Sequence, residues 1–366
     1  MKVTLGVTRL LADPAKYLGS ARPRLGIVAN YNAVDERAEP IIKRLAANPD
    51  IHLAALFSAE HGLWGCEQAG VKMSGTVDRH TGATVHSLYG ETTKPTPEML
   101  SDIDVIVFDA NDVGSRYWTY LSTMAKVIEA AAEAGITVVI TDRPNPLGGL
   151  AVEGNILDLE HRSFVGYLPI PIRYSMTFGE LALMHARESG LDVDLRIVET
   201  EGWRRQALFP DTGLFWTATP NMPDFDTAML YPGTCLFEGT NCSEGRGTTK
   251  PFKLIGAPWL DALALAEALN AVGMNWVRFR PAHFRPAFSK HAHCECGGLE
   301  MLAAVRAQCP DMFAWNASFI DHLAGGPGLR EHFDAGRPAE ELLNLWASEA
   351  KAEAFALKRE RYTIYE

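Results

Sequence analysis

Residues 103–145 have the sequence IDVIVFDANDVGSRYWTYLSTMAKVIEAAAEAGITVVITDRPN, in which two apolar runs flank an alanine-rich segment. The runs at 103–108 and 136–140 are short and rich in β-branched residues, which is typical of buried strands. The segment 120–134 between them predicts a helix that ends at Gly135. A strand, a helix and a second strand in this order form the unit of a parallel sheet. The stretch therefore indicates an α/β fold.

The same alternation extends over residues 25–198. Further strands are predicted at 25–29, 51–57, 84–89 and 195–198, and further helices at 38–47, 98–100 and 177–189. Thr177 and Glu180 form a capping box at the start of the last of these helices. We therefore expect a Rossmann-like parallel sheet with helices on both faces.

The pattern changes after residue 209, where prolines and a long polar segment interrupt the chain. Helices are predicted beyond them at 260–272, 300–308 and 339–353, and a strand at 277–280. We expect two domains, a Rossmann-like N-terminal domain over residues 1–226 and a smaller mixed α/β C-terminal domain over residues 227–366.

The composition is that of a globular protein, with 47% hydrophobic and 22% charged residues in a chain of 366. The net charge of −11 and the lack of basic runs argue against nucleic-acid binding. The six cysteines are too scattered for a disulfide scaffold.

Residues 1–12 lack the features of a signal peptide, and no apolar stretch is long enough to span a bilayer. We expect a cytoplasmic protein without a membrane partner, and its oligomeric state stays open.

Three polar turns follow predicted strands, at residues 58–62, 109–117 and 142–146. Because the carboxyl ends of parallel strands lie at one edge of a sheet, we expect these turns to meet there. Open α/β sheets bind ligands at that edge. The carboxylates, the histidine and the arginines of the turns predict a site for a polar small molecule.

Glu60 and His61 belong to the first turn and have the apolar residues Phe57, Leu63 and Trp64 nearby. Desolvation in such surroundings favours the protonated carboxyl that a general acid needs. The alternatives are that Glu60 caps the next segment or pairs with an arginine, and that His61 is structural.

The second turn brings together Asp109, Asp112, Arg116, Tyr117 and Tyr120. Carboxylates bind sugar hydroxyls and aromatic rings cover sugar C–H faces, so this composition is typical of a sugar site. An internally paired Asp–Arg loop is the alternative.

In the third turn, Arg143 suits a bidentate carboxylate contact, and Asn145 suits a hydroxyl or amide. Asp142 is expected to bond backbone amides within the turn.

The later loop 238–249 contains Glu238, Glu244 and Arg246, and polar loops of this density commonly line a site. We expect it to face Glu60 across the domain cleft, with a surface loop holding a local Glu–Arg pair as the alternative.

Neither a cofactor nor a metal is expected. Residues 30–35, which follow the first strand, contain no glycine, so a dinucleotide pyrophosphate could not approach the backbone there. The segment 239–250 does not have the spacing of a phosphate loop. The sequence HAHCEC at 291–296 has no second ligand pair at zinc-finger spacing.

Taken together, several motifs resemble the bacterial exo-β-N-acetylmuramidases of glycoside hydrolase family 171. They lie at residues 57–62, 87–100, 108–117, 142–146, 152–154, 220–223 and 238–249. The resemblance extends from about residue 10 to residue 365. It implies a Rossmann-like domain, a smaller C-terminal domain and an active site in the cleft between them. The implied activity is removal of N-acetylmuramic acid from the non-reducing ends of peptidoglycan fragments, without a nucleotide cofactor.

The resemblance also assigns residues. Glu60 is implied as the catalytic glutamate, and Glu244 ranks first for the second catalytic group, ahead of Glu153 and Asp112. An arginine is needed for the lactyl carboxylate of muramic acid, and Arg116, Arg143 and Arg246 all lie on matched motifs. The candidates for substrate binding are His61, Asp109, Asp112, Arg116, Tyr117, Tyr120, Arg143, Asn145, Glu153, Asn221, Glu238, Asn241 and Arg246.

Two departures from the family pattern are visible. Relatives often have an export signal or a lipoprotein leader, whereas none is expected here, and about a strand's length is missing after Gly298. Two other functions stay open, a non-catalytic muropeptide or sugar-binding protein and, less supported, an oxidoreductase. The sequence also leaves open whether hydrolysis retains or inverts the anomeric configuration, because that depends on the separation of the catalytic groups.

Overall fold

The computed structural model describes residues 2–67, 70–71, 76–274, 277–284, 286, 301–348 and 350–366. Residues 291–296 and Gly298 lie outside this part of the chain. The strands are β1 (Arg24–Val28), β2 (His52–Ser58), β3 (Thr76–Val77), β4 (Thr84–Ser87), β5 (Val105–Phe108), β6 (Thr137–Thr141), β7 (Glu153–Ile156), β8 (Pro171–Arg173) and β9 (Leu195–Val198).

The helices of the first part of the chain are α1 (Gly6–Ala12), α2 (Pro14–Leu18), α3 (Ile41–Ala46), α4 (Pro97–Leu100), α5 (Thr119–Ala134), α6 (Phe178–Glu188) and α7 (Phe209–Thr212). The later helices are α8 (Phe225–Thr234), α9 (Ala262–Val272), α10 (Met301–Gln308), α11 (Ala317–Ala324), α12 (Gly328–Asp334), α13 (Ala339–Ser348) and α14 (Ala350–Glu360). Among the described residues, none of these helices is both long enough and apolar enough to cross a membrane.

The central sheet has seven strands in the order β3-β4-β2-β1-β5-β6-β9, and β7 pairs with β8 in a separate antiparallel ribbon. Within the central sheet only the β3–β4 pair is antiparallel. The strand order reverses between β1 and β5, and open sheets bind ligands at such a switch point. The predicted α/β class with a Rossmann-like parallel sheet is confirmed.

Apolar residues on both sides of the sheet explain why helices cover both faces. In β5, Val105 and Val107 belong to an apolar cluster that includes residues of α1 and α3. Ile106 and Phe108 belong to a second cluster with residues of α5 and α6. This alternation follows from the two-residue period of a strand.

The later part of the chain differs from the prediction in one element. The strand predicted at 277–280 is wrong, since these residues are irregular in the structure. The backbone N–H and carbonyl of Phe279 bond the side chain of Asn270, at 3.0 and 2.8 Å. A side-chain amide therefore takes the bonds that a neighbouring strand would supply. Among the described residues after 226, the regular elements are all helices.

The last residues of the chain return to the carboxyl edge of the central sheet. The Tyr365 hydroxyl donates to Oδ2 of Asp142 at 2.7 Å and accepts from the backbone N–H of Thr200 at 2.9 Å. The backbone N–H of Arg205 donates to the carbonyl of Glu366 at 2.9 Å. These bonds connect the end of the sequence to the turn after β6.

Candidate active site

A cavity of about 320 Å³ lies beside the carboxyl end of β2 and the start of α5. Six of the predicted site residues line it, namely Glu60, His61, Tyr117, Asn221, Glu238 and Arg246. Phe164, Phe252 and Phe319 add apolar surface. The lining thus combines residues from both sides of residue 226, and the loop after β2 faces the loop that begins at Glu238.

Glu60 is held from two directions. Its Oε1 accepts the backbone N–H of Gly70 at 2.9 Å, and its Oε2 accepts the hydroxyl of Thr119 at 2.7 Å. Its backbone carbonyl accepts the Tyr120 hydroxyl at 3.1 Å, which in turn accepts from Asn30 at 2.8 Å. Tyr120 therefore positions Glu60 through the backbone and does not itself line the cavity.

Tyr89 lies next to Glu60 and also lines the cavity. Burial, together with the charge and hydrogen bonding of Glu60, raises the pKa of Tyr89 well above its usual value. Tyr89 therefore keeps its hydroxyl proton at neutral pH and can donate it to the Glu60 carboxylate or to a ligand.

His61 has an unusual backbone conformation, with φ of 69°, and Gly62 follows with φ of 72°. A left-handed conformation is uncommon outside glycine, although histidine is among the residues enriched there. The imidazole Nδ1 lies 2.6 Å from the carbonyl oxygen of Glu67, whose N–H donates to the His61 carbonyl at 3.2 Å. These two bonds close the loop and hold the ring in a single orientation at the cavity wall.

Arg246 forms ion pairs with two carboxylates. Its Nη1 lies 2.9 Å from Oε2 of Glu238 and 3.3 Å from Oε1 of Glu244, and its guanidinium lies 4.8 Å from the centre of the Phe252 ring. Burial acts to lower the pKa of Arg246, but Glu238 and Glu244 outweigh it and hold that pKa above the usual value. Glu238 lines the cavity, whereas the buried Glu244 is not among the lining residues.

The predicted third turn bonds within the protein instead of facing the cavity. Arg143 pairs with Asp109 at 2.6 Å, where the Asp109 side chain is buried and that of Arg143 is 10% exposed. Asn145 donates to the Met176 carbonyl at 2.8 Å and accepts the N–H of Leu147 at 2.9 Å. Because these groups satisfy buried partners, we remove Asp109, Arg143 and Asn145 from the candidate substrate contacts.

Asp112 and Arg116 are also structural. Asp112 accepts the backbone N–H groups of Val113 and Gly114 at 2.7 and 2.9 Å and the hydroxyl of Tyr174 at 2.5 Å. Burial raises the pKa of Asp112 to about 6, although these bonds oppose the shift. Asp112 lines a separate cavity of only about 30 Å³.

The buried Arg116 donates to three backbone carbonyls, those of Asn155 at 2.6 Å, Ile170 at 2.8 Å and Leu323 at 3.1 Å. Burial lowers the pKa of Arg116 to about 10, so the guanidinium stays charged at neutral pH. It connects β5, the β7–β8 ribbon and α11, and it is not available to a substrate carboxylate.

Glu153 and Asn241 lie away from the cavity as well. Glu153 is exposed and pairs with Arg173 at 2.8 Å. Asn241 donates to the Met312 carbonyl at 2.8 Å and accepts the N–H of Ala314 at 3.1 Å. Both residues support local structure, which removes them from the set that contacts a ligand.

The sequence prediction missed several lining residues. Thr119 is part of a helix start, and Phe164 and Phe319 lie outside the polar turns and the loop from which the candidates were taken. Tyr89 lies in a motif that supported the family resemblance, and this was the one signal that could have identified it. Among the described residues, no group of three or more His, Cys, Asp and Glu side chains could hold a metal ion.

The fold and the cavity together define an α/β protein with a small-molecule site, in which aromatic rings and a positioned carboxyl group line the cavity. Two family models, described as exo-beta-N-acetylmuramidase NamZ, N-terminal and C-terminal, match residues 25–226 and 229–365. The chain therefore belongs to the exo-β-N-acetylmuramidase NamZ family, and the resemblance inferred from the motifs is confirmed.

Individual relatives agree with this assignment. The chain is 42% identical over 383 aligned positions to the peptidoglycan beta-N-acetylmuramidase NamZ of Bacillus subtilis (strain 168), covering 100% of this chain and 92% of that protein. Two crystal structures of DUF1343 family proteins from Bacteroides fragilis NCTC 9343 are also similar. The first has 33% identity and a TM-score of 0.90, and the second has 27% identity and a TM-score of 0.78. Each covers 100% of this chain and 99% of the other chain.

Proposed function

We propose that this protein is a glycoside hydrolase that removes N-acetylmuramic acid from the non-reducing ends of peptidoglycan fragments during cell-wall turnover. The observation that carries the proposal is the Glu60 carboxyl, held by Gly70 and Thr119 at the wall of the cavity. Glu60 acts as the general acid that protonates the leaving oxygen. Membership of the NamZ family and the name of the Bacillus subtilis relative support this activity.

The cavity dimensions favour removal of a single terminal unit. Ligand sites commonly have volumes of about 300–1,000 Å³, and this cavity, at about 320 Å³, lies at the small end. One sugar ring with its substituents would fill it. Tyr117, Phe164 and Phe319 would cover apolar sugar faces.

Arg246 is the cation that we assign to the lactyl carboxylate of muramic acid. Of the three arginines on matched motifs, it is the one that lines the cavity, since Arg116 and Arg143 bond buried partners. Asn221 lines the same cavity, and its buried Nδ2 has no hydrogen-bond partner among the described residues. A carbonyl or carboxylate oxygen of the substrate would satisfy it.

We also propose the two-domain division at residues 1–226 and 227–366. It is supported by the two family models, which adjoin between residues 226 and 229, and by the contribution of both parts to the cavity. In the proposed hydrolysis, water is the only reactant besides the sugar substrate. The cytoplasmic location stays a prediction.

The test compares two disaccharides, N-acetylmuramyl-β-1,4-N-acetylglucosamine and N,N′-diacetylchitobiose. The wild-type protein should release N-acetylmuramic acid from the first and leave the second largely intact. Glu60→Gln should lower kcat by about 100-fold or more, the usual contribution of a general acid. Glu153→Gln, the same substitution at an exposed residue outside the cavity, should keep wild-type activity. Binding without product, or full activity of Glu60→Gln, would contradict the proposal.

A further inference from the structure

We propose that His61 is the second catalytic residue of this site. Its Nε2 accepts a proton from the water molecule that attacks the anomeric carbon, while Glu60 protonates the departing oxygen. The inference rests on the proposed hydrolase function and assigns the role of the base to a residue other than Glu244.

The hydrogen bond of the imidazole defines its tautomer. A backbone carbonyl can only accept a hydrogen bond, so the Nδ1 that lies 2.6 Å from the Glu67 oxygen must bear the proton. In the neutral ring the lone pair is then on Nε2. A histidine held in this way through Nδ1 presents one nitrogen for proton transfer, as catalytic and metal-binding histidines commonly do.

The backbone around His61 indicates a position that the fold maintains in spite of strain. Two consecutive left-handed residues, His61 and Gly62, turn the chain sharply after Glu60. Non-glycine residues in this conformation concentrate at functional sites, where the surrounding structure must hold them. Here the pair of bonds between His61 and Glu67 supplies that support, and His61 is a buried residue at the cavity wall, with 5% of its surface exposed.

The carboxylates near Glu60 are already engaged. Glu238 lines the cavity but pairs with Arg246 at 2.9 Å. Glu244 pairs with the same guanidinium and is not part of the cavity lining. Within the described lining of the cavity, His61 is therefore the titratable group best placed to serve as a base alongside Glu60.

The proposed step is a single displacement. Water oxygen forms a bond to the anomeric carbon as one of its protons passes to Nε2 of His61. The bond from that carbon to the leaving oxygen breaks, and the leaving oxygen takes the carboxyl proton of Glu60. The products are N-acetylmuramic acid and a shortened sugar, and solvent returns the proton from His61 to Glu60. A β-linked substrate must give the α anomer first, because water attacks the face opposite the leaving group.

The test follows the first-formed anomer by ¹H NMR during hydrolysis of 4-nitrophenyl β-N-acetylmuramide, before mutarotation. We expect the α anomer. His61→Asn removes the base but keeps a residue that tolerates positive φ, and it should lower kcat by 100-fold or more with little change in KM. Sodium azide, which needs no base, should restore turnover in this variant and yield the α-glycosyl azide. His80→Asn, at an exposed histidine outside the cavity, should match the wild type.

The β anomer as first product would overturn the proposal, and so would a wild-type kcat in His61→Asn. Loss of activity without rescue by azide would make His61 a positioning residue, which also overturns it. These outcomes are distinct from failure of the proposed function, in which the wild-type protein itself releases no N-acetylmuramic acid.

Discussion

The hydroxyl of Thr119 donates a 2.7 Å hydrogen bond to Oε2 of Glu60, so the first residue of helix α5 orients the carboxyl that follows β2. The other carboxyl oxygen accepts the N–H of Gly70, which belongs to a loop. Of these two donors, Thr119 is the one mounted on a regular element of the core. A long helix therefore sets the direction in which the carboxyl points.

We predict that Thr119→Val lowers kcat by roughly 10-fold, because a hydrogen bond contributes about 0.5–1.5 kcal/mol and its loss lets the carboxyl rotate. Thr123→Val is the matched control, since that hydroxyl bonds the Thr119 carbonyl within the same helix. Steady-state hydrolysis of the muramyl disaccharide measures both variants. Wild-type kcat in Thr119→Val would show that the hydroxyl does not orient Glu60.

Arg246 should determine the preference for muramic acid over glucosamine. Arg246→Met should reduce the ratio of kcat/KM for the β-N-acetylmuramide to that for the β-N-acetylglucosaminide by roughly 10- to 100-fold, because a charged hydrogen bond to the lactyl carboxylate is lost. Arg246→Lys keeps the charge and should retain most of the preference. Arg79→Met changes an exposed arginine outside the cavity and serves as the control. An unchanged ratio in Arg246→Met would exclude this role.

Arg116 should matter for stability. Arg116→Met removes a charged donor from three backbone carbonyls, of which that of Ile170 keeps the N–H of Leu157, and a hydrogen bond to a charged group contributes about 1.5–3 kcal/mol. We expect the free energy of unfolding to fall by about 3 kcal/mol or more, measured by urea denaturation. Arg37→Met, at an exposed position, should have almost no effect. A similar stability for the two variants would contradict the structural role of Arg116.

Asp142 should make stability depend on pH. Burial raises the pKa of Asp142 to about 7, whereas the unfolded value is about 3.9. The folded state therefore binds the Asp142 proton more tightly than the unfolded state does. The contribution of this proton to the free energy of unfolding is complete below about pH 4 and is lost as pH rises through about 7.

Between pH 5 and pH 8 the Asp142 contribution should fall by about 3 kcal/mol, at 1.36 kcal/mol for each pKa unit. Asp142→Asn cannot ionise, so its stability relative to wild type should increase over this range. Denaturation of both proteins at the two pH values measures the difference, and other titrating groups such as His86 cancel in the comparison. A difference that does not change with pH would refute the prediction.

The sheet was predictable because strands buried on both faces are continuous apolar runs. The predicted strand at 195–198 has the observed bounds of β9, and the capping box of Thr177 and Glu180 marks the start of α6 as expected. Helices α1 and α2 were not predicted, because they are only 7 and 5 residues long and show little periodicity. Their positions depend on contacts with the sheet that local sequence does not reveal.

The site was predictable as a region but not residue by residue. Glu60 and Arg246 both line the cavity, as expected. Asp109 and Arg143 have equally polar sequence surroundings, yet they form an ion pair with each other at 2.6 Å. A polar turn at a sheet edge must satisfy its own backbone as well as a ligand, and sequence alone does not show which side chains serve which need.

The bonds of Tyr365 to Asp142 and of Arg116 to Leu323 join positions separated by about 200 residues in the sequence. Contacts of such long sequence separation slow folding, because the intervening chain must be ordered before they can form. On a ribosome, the turn after β6 would emerge long before the tyrosine that completes its hydrogen bonding. We therefore expect the hydrogen bonding of this sheet edge to be completed late in folding, after Tyr365 has left the ribosome.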